Sequence, residues 1–268
     1  MRSYKKTTKK VFKTYKKKTY RKTNVSSVKR IVKAALARNI EHKTIQQFNL
    51  NQLLRPSNAA LFPDQVIPLG PNNTTMALTQ GVSQSQRVGN AIKIKSLIFK
   101  GTLVPSAYNV STNTQPSPTQ VKMFIFYDRI NPTVIPSPST DFFQNGQSQL
   151  GLQNDLVDMW LPVNTDKYRV LTTRTFKLGN AQIDGNGSQL DFQGFSNNDF
   201  KLNCNFSINL TKYMIKTVKF NDNVNSNMPT TRGLYCMWIL CSASGNAIPS
   251  SQSPCHVQYM QSLVYEDA

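Results

Sequence analysis

Any chemistry this chain performs has few groups to draw on. There are two histidines, His42 and His256, far apart in the sequence. Neither falls in an HExxH pattern or another spacing that would bring imidazoles to one metal ion. The four cysteines, Cys204, Cys236, Cys241 and Cys255, include no CxxC pair. A zinc site needs Cys or His pairs at short spacing, so buried free thiols are expected instead. No GxSxG nucleophile turn and no GxxxxGK[ST] phosphate loop occurs. Asp155 and Asp158 could offer oxygens to a hard divalent cation. Acids at i and i+3 are more commonly a solvated helix face, and that reading is adopted. Asp128 and Arg129 end an apolar run and are expected to form a structural ion pair. The reading is of a protein that is not an enzyme, with no catalytic, cofactor or metal site.

A different chemistry is concentrated at the start of the chain. Residues 1–40 hold fifteen bases and no acid: Arg2, Lys5, Lys6, Lys9, Lys10, Lys13, Lys16, Lys17, Lys18, Arg21, Lys22, Lys29, Arg30, Lys33 and Arg38. The whole chain has 32 bases and 13 acids, so the remainder carries 32 − 15 = 17 bases against 13 acids, a net of +4. Most of the formal charge of +19 therefore sits in one arm, which points to a polyanionic partner. Tyr4, Phe12, Tyr15 and Tyr20 are interleaved with the lysines. Lysine neutralises phosphates without reading sequence, and aromatic rings stack on unpaired bases. The fifteen bases are thus candidate nucleic-acid contacts and the four rings candidate base-stacking residues. The same residues suit a nuclear-import signal; a solvated tail without a partner is the alternative.

Residues 1–23 are too polar to bury a core of their own. In residues 26–40, SSVKRIVKAALARNI, the spacing puts Val28, Ile31, Val32, Ala35, Leu36 and Ile40 on one helical face. Lys29, Arg30, Lys33 and Arg38 lie off it, and Ser26 or Ser27 can cap the start. Such a helix could lie on nucleic acid, on the body or on a membrane surface; the first two are preferred. No apolar run reaches membrane-spanning length, and the charged N-terminus lacks the apolar region of a secretory signal. A cytosolic or nuclear protein fits.

The elements that must carry this arm follow in residues 41–268, taken as one shell domain. Residues 87–104, RVGNAIKIKSLIFKGTLV, begin at a Gly-Asn turn and alternate at Ile92, Lys93, Ile94 and Lys95 before becoming apolar on both faces. Residues 41–90, rich in proline, read as an extended lead-in with one short strand near 44–50. Further strands are predicted at 121–130, 168–178, 203–210, 215–220, 234–241 and 256–265. Within 203–210, Cys204, Phe206, Ile208 and Leu210 share one face. A short helix is predicted at 150–160. The Asp184-Gly185-Asn186-Gly187 turn leads into a strand at 189–192. About eight strands joined by long polar loops call for an all-β sandwich or jelly roll.

These segments also resemble a known family. RVGNAIKIKSLIFKGTL is similar to the first framework strand of capsid proteins from small circular Rep-encoding single-stranded DNA viruses, the circovirus-like or CRESS-DNA group. VKMFIFYDRINP resembles the strand that follows there, YRVLTTRTFKL the next, and VQYMQSLVYED the last, which ends on an aromatic and an acid. The arm departs from circovirus arms in being Lys-dominated, and Gln261-Ser262 stand where many relatives carry Arg. The resemblance implies a single jelly roll of two four-stranded antiparallel sheets. It implies a homo-oligomer of about sixty subunits, a T=1 icosahedral virion shell packaging a single-stranded DNA genome. The long loops 105–120, 131–166 and 221–233 would supply outer surface and subunit contacts. The arm would face inward and, with the host nuclear import machinery, deliver the genome to the host nucleus; the host receptor is unknown. Sixty such arms bring on the order of 900 positive charges, enough to offset much of a genome of a thousand or more phosphates. The alternatives are a coat protein of a small positive-strand RNA virus or satellite, a non-viral nucleic-acid-binding β-sandwich (histone-chaperone-like or ribosomal), and an enzyme with a basic targeting tail.

Overall fold

The structure, a computed structural model, describes residues 28–32, 42–56, 66–72, 76–179, 201–221 and 229–267, apart from positions 84, 108, 115, 132, 139, 147, 153, 154 and 250. The chain divides into two units, residues 1–41 and 42–268.

Eleven strands are described in the second unit. They are β1 (Lys43–Leu54), β2 (Val66–Leu69), β3 (Ala91–Pro105), β4 (Thr119–Asp128), β5 (Phe143–Asn145), β6 (Ser148–Leu150), β7 (Tyr168–Leu178), β8 (Cys204–Asn209), β9 (Thr217–Lys219), β10 (Leu234–Ser242) and β11 (Cys255–Asp267). Sheet A has the order β1-β11-β3-β8, with the short β9 pairing on β3 beyond β8; sheet B has the order β2-β10-β4-β7. Every pairing is antiparallel. Chain neighbours such as β1 and β2, or β3 and β4, lie in different sheets. First and last strands pair inside one of them. That order is the jelly roll, and it carries the eight expected strands in two antiparallel sheets.

The two sheets enclose one apolar core. Leu97, Phe99, Phe206, Ile208 and Leu263 come from sheet A, and Met123, Ile125, Cys236, Trp238 and Leu240 from sheet B. Phe206 sits at its centre, 5.1 Å from the Phe99 ring and 5.6 Å from Trp238. Each such ring contributes about 1.5–3 kcal/mol by leaving water. The face of β8 read from the sequence is observed, with Phe206, Ile208 and Leu210 buried and Asn205, Ser207 and Asn209 exposed.

Sheet B has a second buried face. Phe124, Phe126, Tyr235, Met237 and Ile239 form another cluster with Phe142, Phe143 and Met159 of the connection between β4 and β7. The Phe142 ring stands edge-on to Phe124 at 5.2 Å and to Phe126 at 5.4 Å. This explains why β10 is buried at all nine positions: a strand covered on both faces has no polar side. Sheet A has no such cover among the described residues, and its outer face alternates.

Several expectations are corrected. The short strand expected near 44–50 is β1, which runs longer, over Lys43–Leu54, and residues 41–90 also supply β2, so both are integral strands of the two sheets. Pro68 falls inside β2 and is tolerated because β2 is an edge strand, paired only to β10. No helix spans 150–160; β6 ends at Leu150 and a single 3-10 turn covers Leu156–Met159. Asp158 is fully buried there instead of lying on a solvated face, and Asp155 caps the turn by accepting from the Val157 amide at 2.9 Å. Strand β7 lies where expected and changes phase at a bulge opposite Ile125/Phe126, with Tyr168 and Val170 in the second cluster and Leu171 and Phe176 against the first. Asp128 does not pair with Arg129. Its Oδ1 accepts from the Ile130 and Asn131 amides at 2.7 and 2.9 Å, closing the turn after β4, while Arg129 donates to the Thr165 carbonyl at 2.6 Å. The predicted strand at 189–192 lies outside the described residues.

Gly101 is where the tight core depends on a missing side chain. A Cβ there would stand 2.5 Å from the Gln258 carbonyl oxygen and 2.6 Å from Phe206 Cζ. Both belong to paired strands that cannot shift cheaply. Gly101→Ala is therefore expected to lower stability by about 1–3 kcal/mol despite the better strand propensity of alanine, checked by urea unfolding.

Candidate nucleic-acid interface

Of the arm residues picked from the sequence, Lys29 and Arg30 fall among the described ones. They are exposed within a helical turn at 28–32, inside the predicted helix. Arg2, Lys5, Lys6, Lys9, Lys10, Lys13, Lys16, Lys17, Lys18, Arg21, Lys22, Lys33 and Arg38 lie outside the described residues, as do Tyr4, Phe12, Tyr15 and Tyr20.

The arm joins the body at the start of β1, and that junction is a closed ionic cluster. Glu266, buried near the end of β11, receives Lys95 Nζ at 2.6 Å, with His42 Nδ1 at 3.3 Å and Lys93 Nζ at 4.0 Å. Asp267 pairs with Lys43 Nζ at 2.7 Å and accepts from the Val88 amide at 3.0 Å. A buried carboxylate is tolerable only when cations and donors surround it. The aromatic-acid ending of the last strand thus has a structural role, locking the start of β1 against β11 and β3.

The other motif residues are likewise structural. Arg87, fully buried, donates to the Leu78 carbonyl at 3.2 Å and the Gly89 carbonyl at 2.6 Å and lies 4.5 Å over the Phe220 ring. It holds the turn that launches β3. Gln261 is fully buried between the sheets; it accepts from the Gly70 amide at 2.9 Å and donates to the Pro68 carbonyl at 3.1 Å. A neutral amide suits that position, where both a donor and an acceptor must be met without a charge.

The remaining reactive groups are dispersed. His42 stands at one end of β1, and His256 pairs with Leu53 at the other, roughly 30 Å away along the strand. Burial lowers the His256 pKa. All four cysteines are free, and Cys236, Cys241 and Cys255 are buried. Burial pushes the Cys241 thiol up to about 11 and the Cys236 and Cys255 thiols upward as well, so they hold their protons and make poor nucleophiles. Among the described residues no three His, Cys, Asp or Glu side chains converge in a way that could hold a metal ion. No helix among them is long and apolar enough to cross a membrane.

What the sequence did not single out is the outer face of sheet A. On β3 it presents Lys93, Lys95 and Lys100, and on β9 Lys219, all exposed. On β8 it presents Asn205, Ser207 and Asn209. On β1 the pattern is inverted. Phe48 and Leu50 are 61% and 76% exposed, while Gln47 and Asn49 face inward and hydrogen-bond Tyr259. The signal was present as the Ile-Lys-Ile-Lys alternation at 92–95, but β1 had no periodicity from which to read its phase.

No protein-family model matches this chain, and no curated protein matches it. Among solved structures, the VP1 protein of Trichodysplasia spinulosa-associated polyomavirus, determined in complex with GM1 oligosaccharide, aligns over 85% of this chain and 97% of its own at 9% identity. The TM-score is 0.19, too low to carry an argument, so the fold rests on the strand order itself.

Proposed function

We propose that this protein is a viral capsid protein that self-assembles into a small T=1 icosahedral shell and packages single-stranded DNA through its basic N-terminal arm. The observation that carries the reading is the segregation of charge. Fifteen bases without an acid precede a jelly-roll body whose net charge is only +4. An enzyme or a small binding module has no need to keep its cationic charge on a separate arm, whereas a shell must line its interior with cations while its subunits still pack. The large loop over sheet B suits subunit contact. Its outer side leaves Val157 and Trp160 exposed, the latter at 75%, while Phe142, Phe143 and Met159 anchor it in the second core. In this reading residues 1–40 are the nucleic-acid-binding and import arm, residues 41–268 the shell domain, and the protein resides in the virion and the host nucleus.

Expressing the full chain, purifying it without nuclease and examining it by negative-stain electron microscopy tests this. The expected result is uniform shells roughly 20 nm across, the size about sixty domains of this mass tile, with an A260/A280 ratio typical of nucleoprotein. Nuclease treatment of the extracted contents identifies the genome. Contents destroyed by RNase and untouched by DNase overturn the DNA assignment in favour of an RNA virus or satellite coat. Monomers or small oligomers with bound nucleic acid favour a non-viral binding module.

A further inference from the structure

We infer that the outer face of sheet A is a second binding surface for single-stranded nucleic acid, separate from the arm, with Phe48 as its base-stacking residue. The inference rests on the packaging role proposed for the arm and extends it to the folded body.

Three observations carry it. The first is charge. Lys93, Lys95, Lys100 and Lys219 point outward, and the acids at that face are already committed: Asp267 to Lys43 and Glu266, buried, to Lys95. Counting the four lysines against Glu266 leaves 4 − 1 = +3, with no free carboxylate among the described residues of the face. Of the other described acids, Asp128 ends β4 and Asp141, Asp155, Asp158 and Asp166 lie in the connection from β4 to β7. The outer face of sheet A thus carries a net positive charge that attracts phosphate.

The second observation is the inverted strand. Exposing Phe48 and Leu50 while turning Gln47 and Asn49 inward costs burial that the opposite phase would have gained. Phe48 and Leu50 border a shallow depression of about 340 Å³ that Lys100 and Met260 also line. Phe48 on β1 and Lys100 on β3 flank Met260 of β11, and stacking platforms for unpaired bases combine such an exposed ring with nearby lysines, the ring taking a base and the lysine a phosphate. Gln258 lines the depression too, and Asn205 and Ser207 of β8 stand across from Thr102 and Lys100, hydrogen-bonding groups that carry no repelling charge.

The third is the tether. Chain connectivity ties the fifteen-base arm to residue 42, beside Lys93 and Lys95. A polyanion bound by the arm is therefore held at high local concentration near this face by the chain itself. The same lysines argue against a buried contact with a second copy, because lysine is depleted at the centres of protein interfaces.

The test uses the full chain, stripped of nucleic acid in high salt and mixed with a short oligothymidylate carrying 5-iodouracil. Ultraviolet cross-linking followed by peptide mass spectrometry should place cross-links both on arm peptides and on the peptide containing Phe48. Phe48→Ala should erase the body cross-link and weaken binding about tenfold, the loss of one base stack. Replacing Lys93, Lys100 and Lys219 together by Ala should reduce the slope of log K against log salt by about 2, at about 0.7 per phosphate contact on a single strand. Cross-links confined to the arm, with the slope unchanged in the triple variant, overturn the inference and leave the arm's role standing. Cross-links on neither unit overturn the arm's role itself. If Phe48→Ala blocks assembly while oligonucleotide affinity is unchanged, the face is a contact between copies and the inference falls.

Discussion

A chain lacking residues 1–40 will fold and melt like the full protein but will lose nearly all of its bound nucleic acid. The folding half follows from where the cores lie. Among the described residues, both hydrophobic clusters are built from positions after 42. The ionic cluster that fixes the start of β1 uses His42, Lys43, Lys93, Lys95, Glu266 and Asp267, all retained by the truncation. The binding half follows from charge. Single-strand binding loses about 0.7 in log K per log unit of salt for each phosphate contact, so fifteen bases allow a slope of about −10. The body, at net +4, can support no more than about −3 by the same rule. Fluorescence anisotropy with an oligothymidylate across a salt series, beside thermal melts, measures both halves. Should the truncated chain fail to fold, the arm contributes to the core and the boundary is misplaced. Should it retain nucleic acid undiminished, the body binds without the arm and the reading from charge segregation is lost.

How much of this was readable in advance depended on whether one face of an element met water. β3 and β8 alternate because sheet A is open outside, so Ile92 and Lys93 or Phe206 and Ser207 announce their sides. β10 could be recognised as central from its unbroken apolar run, but not what covered its second face. That cover comes from Phe142 and Phe143, isolated among Pro, Ser and Gln, and from Met159, in a run too short to show a period. Their partners are set by tertiary packing alone. β2 escaped notice because four residues including Pro68 look like a turn, and only its edge position makes them a strand. The sequence pattern ends β1 too early because Phe48 and Leu50 face outward while Ile45 and Leu54 face the core, so its apolar residues keep no single phase. For the interface, the arm was legible from composition alone. The lysines of sheet A became a surface only when β3 and β9 were found paired side by side at Ala91, Ile92 and Lys93.

Replacing Phe206 by Asp will abolish folding, while Ser207→Asp, one residue along the same strand, will leave the fold intact. Phe206 is 4% exposed and packs among Phe99, Phe176 and Trp238, none of which carries a positive charge to offset a carboxylate. Losing a buried ring costs about 3–5 kcal/mol. Burying an unpaired carboxylate adds several kcal/mol more, whether the group is held charged or takes up a proton. Together these approach or exceed the 5–15 kcal/mol or so by which domains are stable. Ser207 is exposed on the outer face opposite Lys100, so a carboxylate there stays in water beside a cation. The pair of variants therefore separates the two faces of one strand more sharply than either alone. Soluble yield, circular dichroism and particle formation decide it. Normal particles from the Phe206 variant would show that the core does not run through this strand as described. Loss of folding in both would mean that the outer face of sheet A is packed against something in the folded protein, and would count against a surface open to nucleic acid.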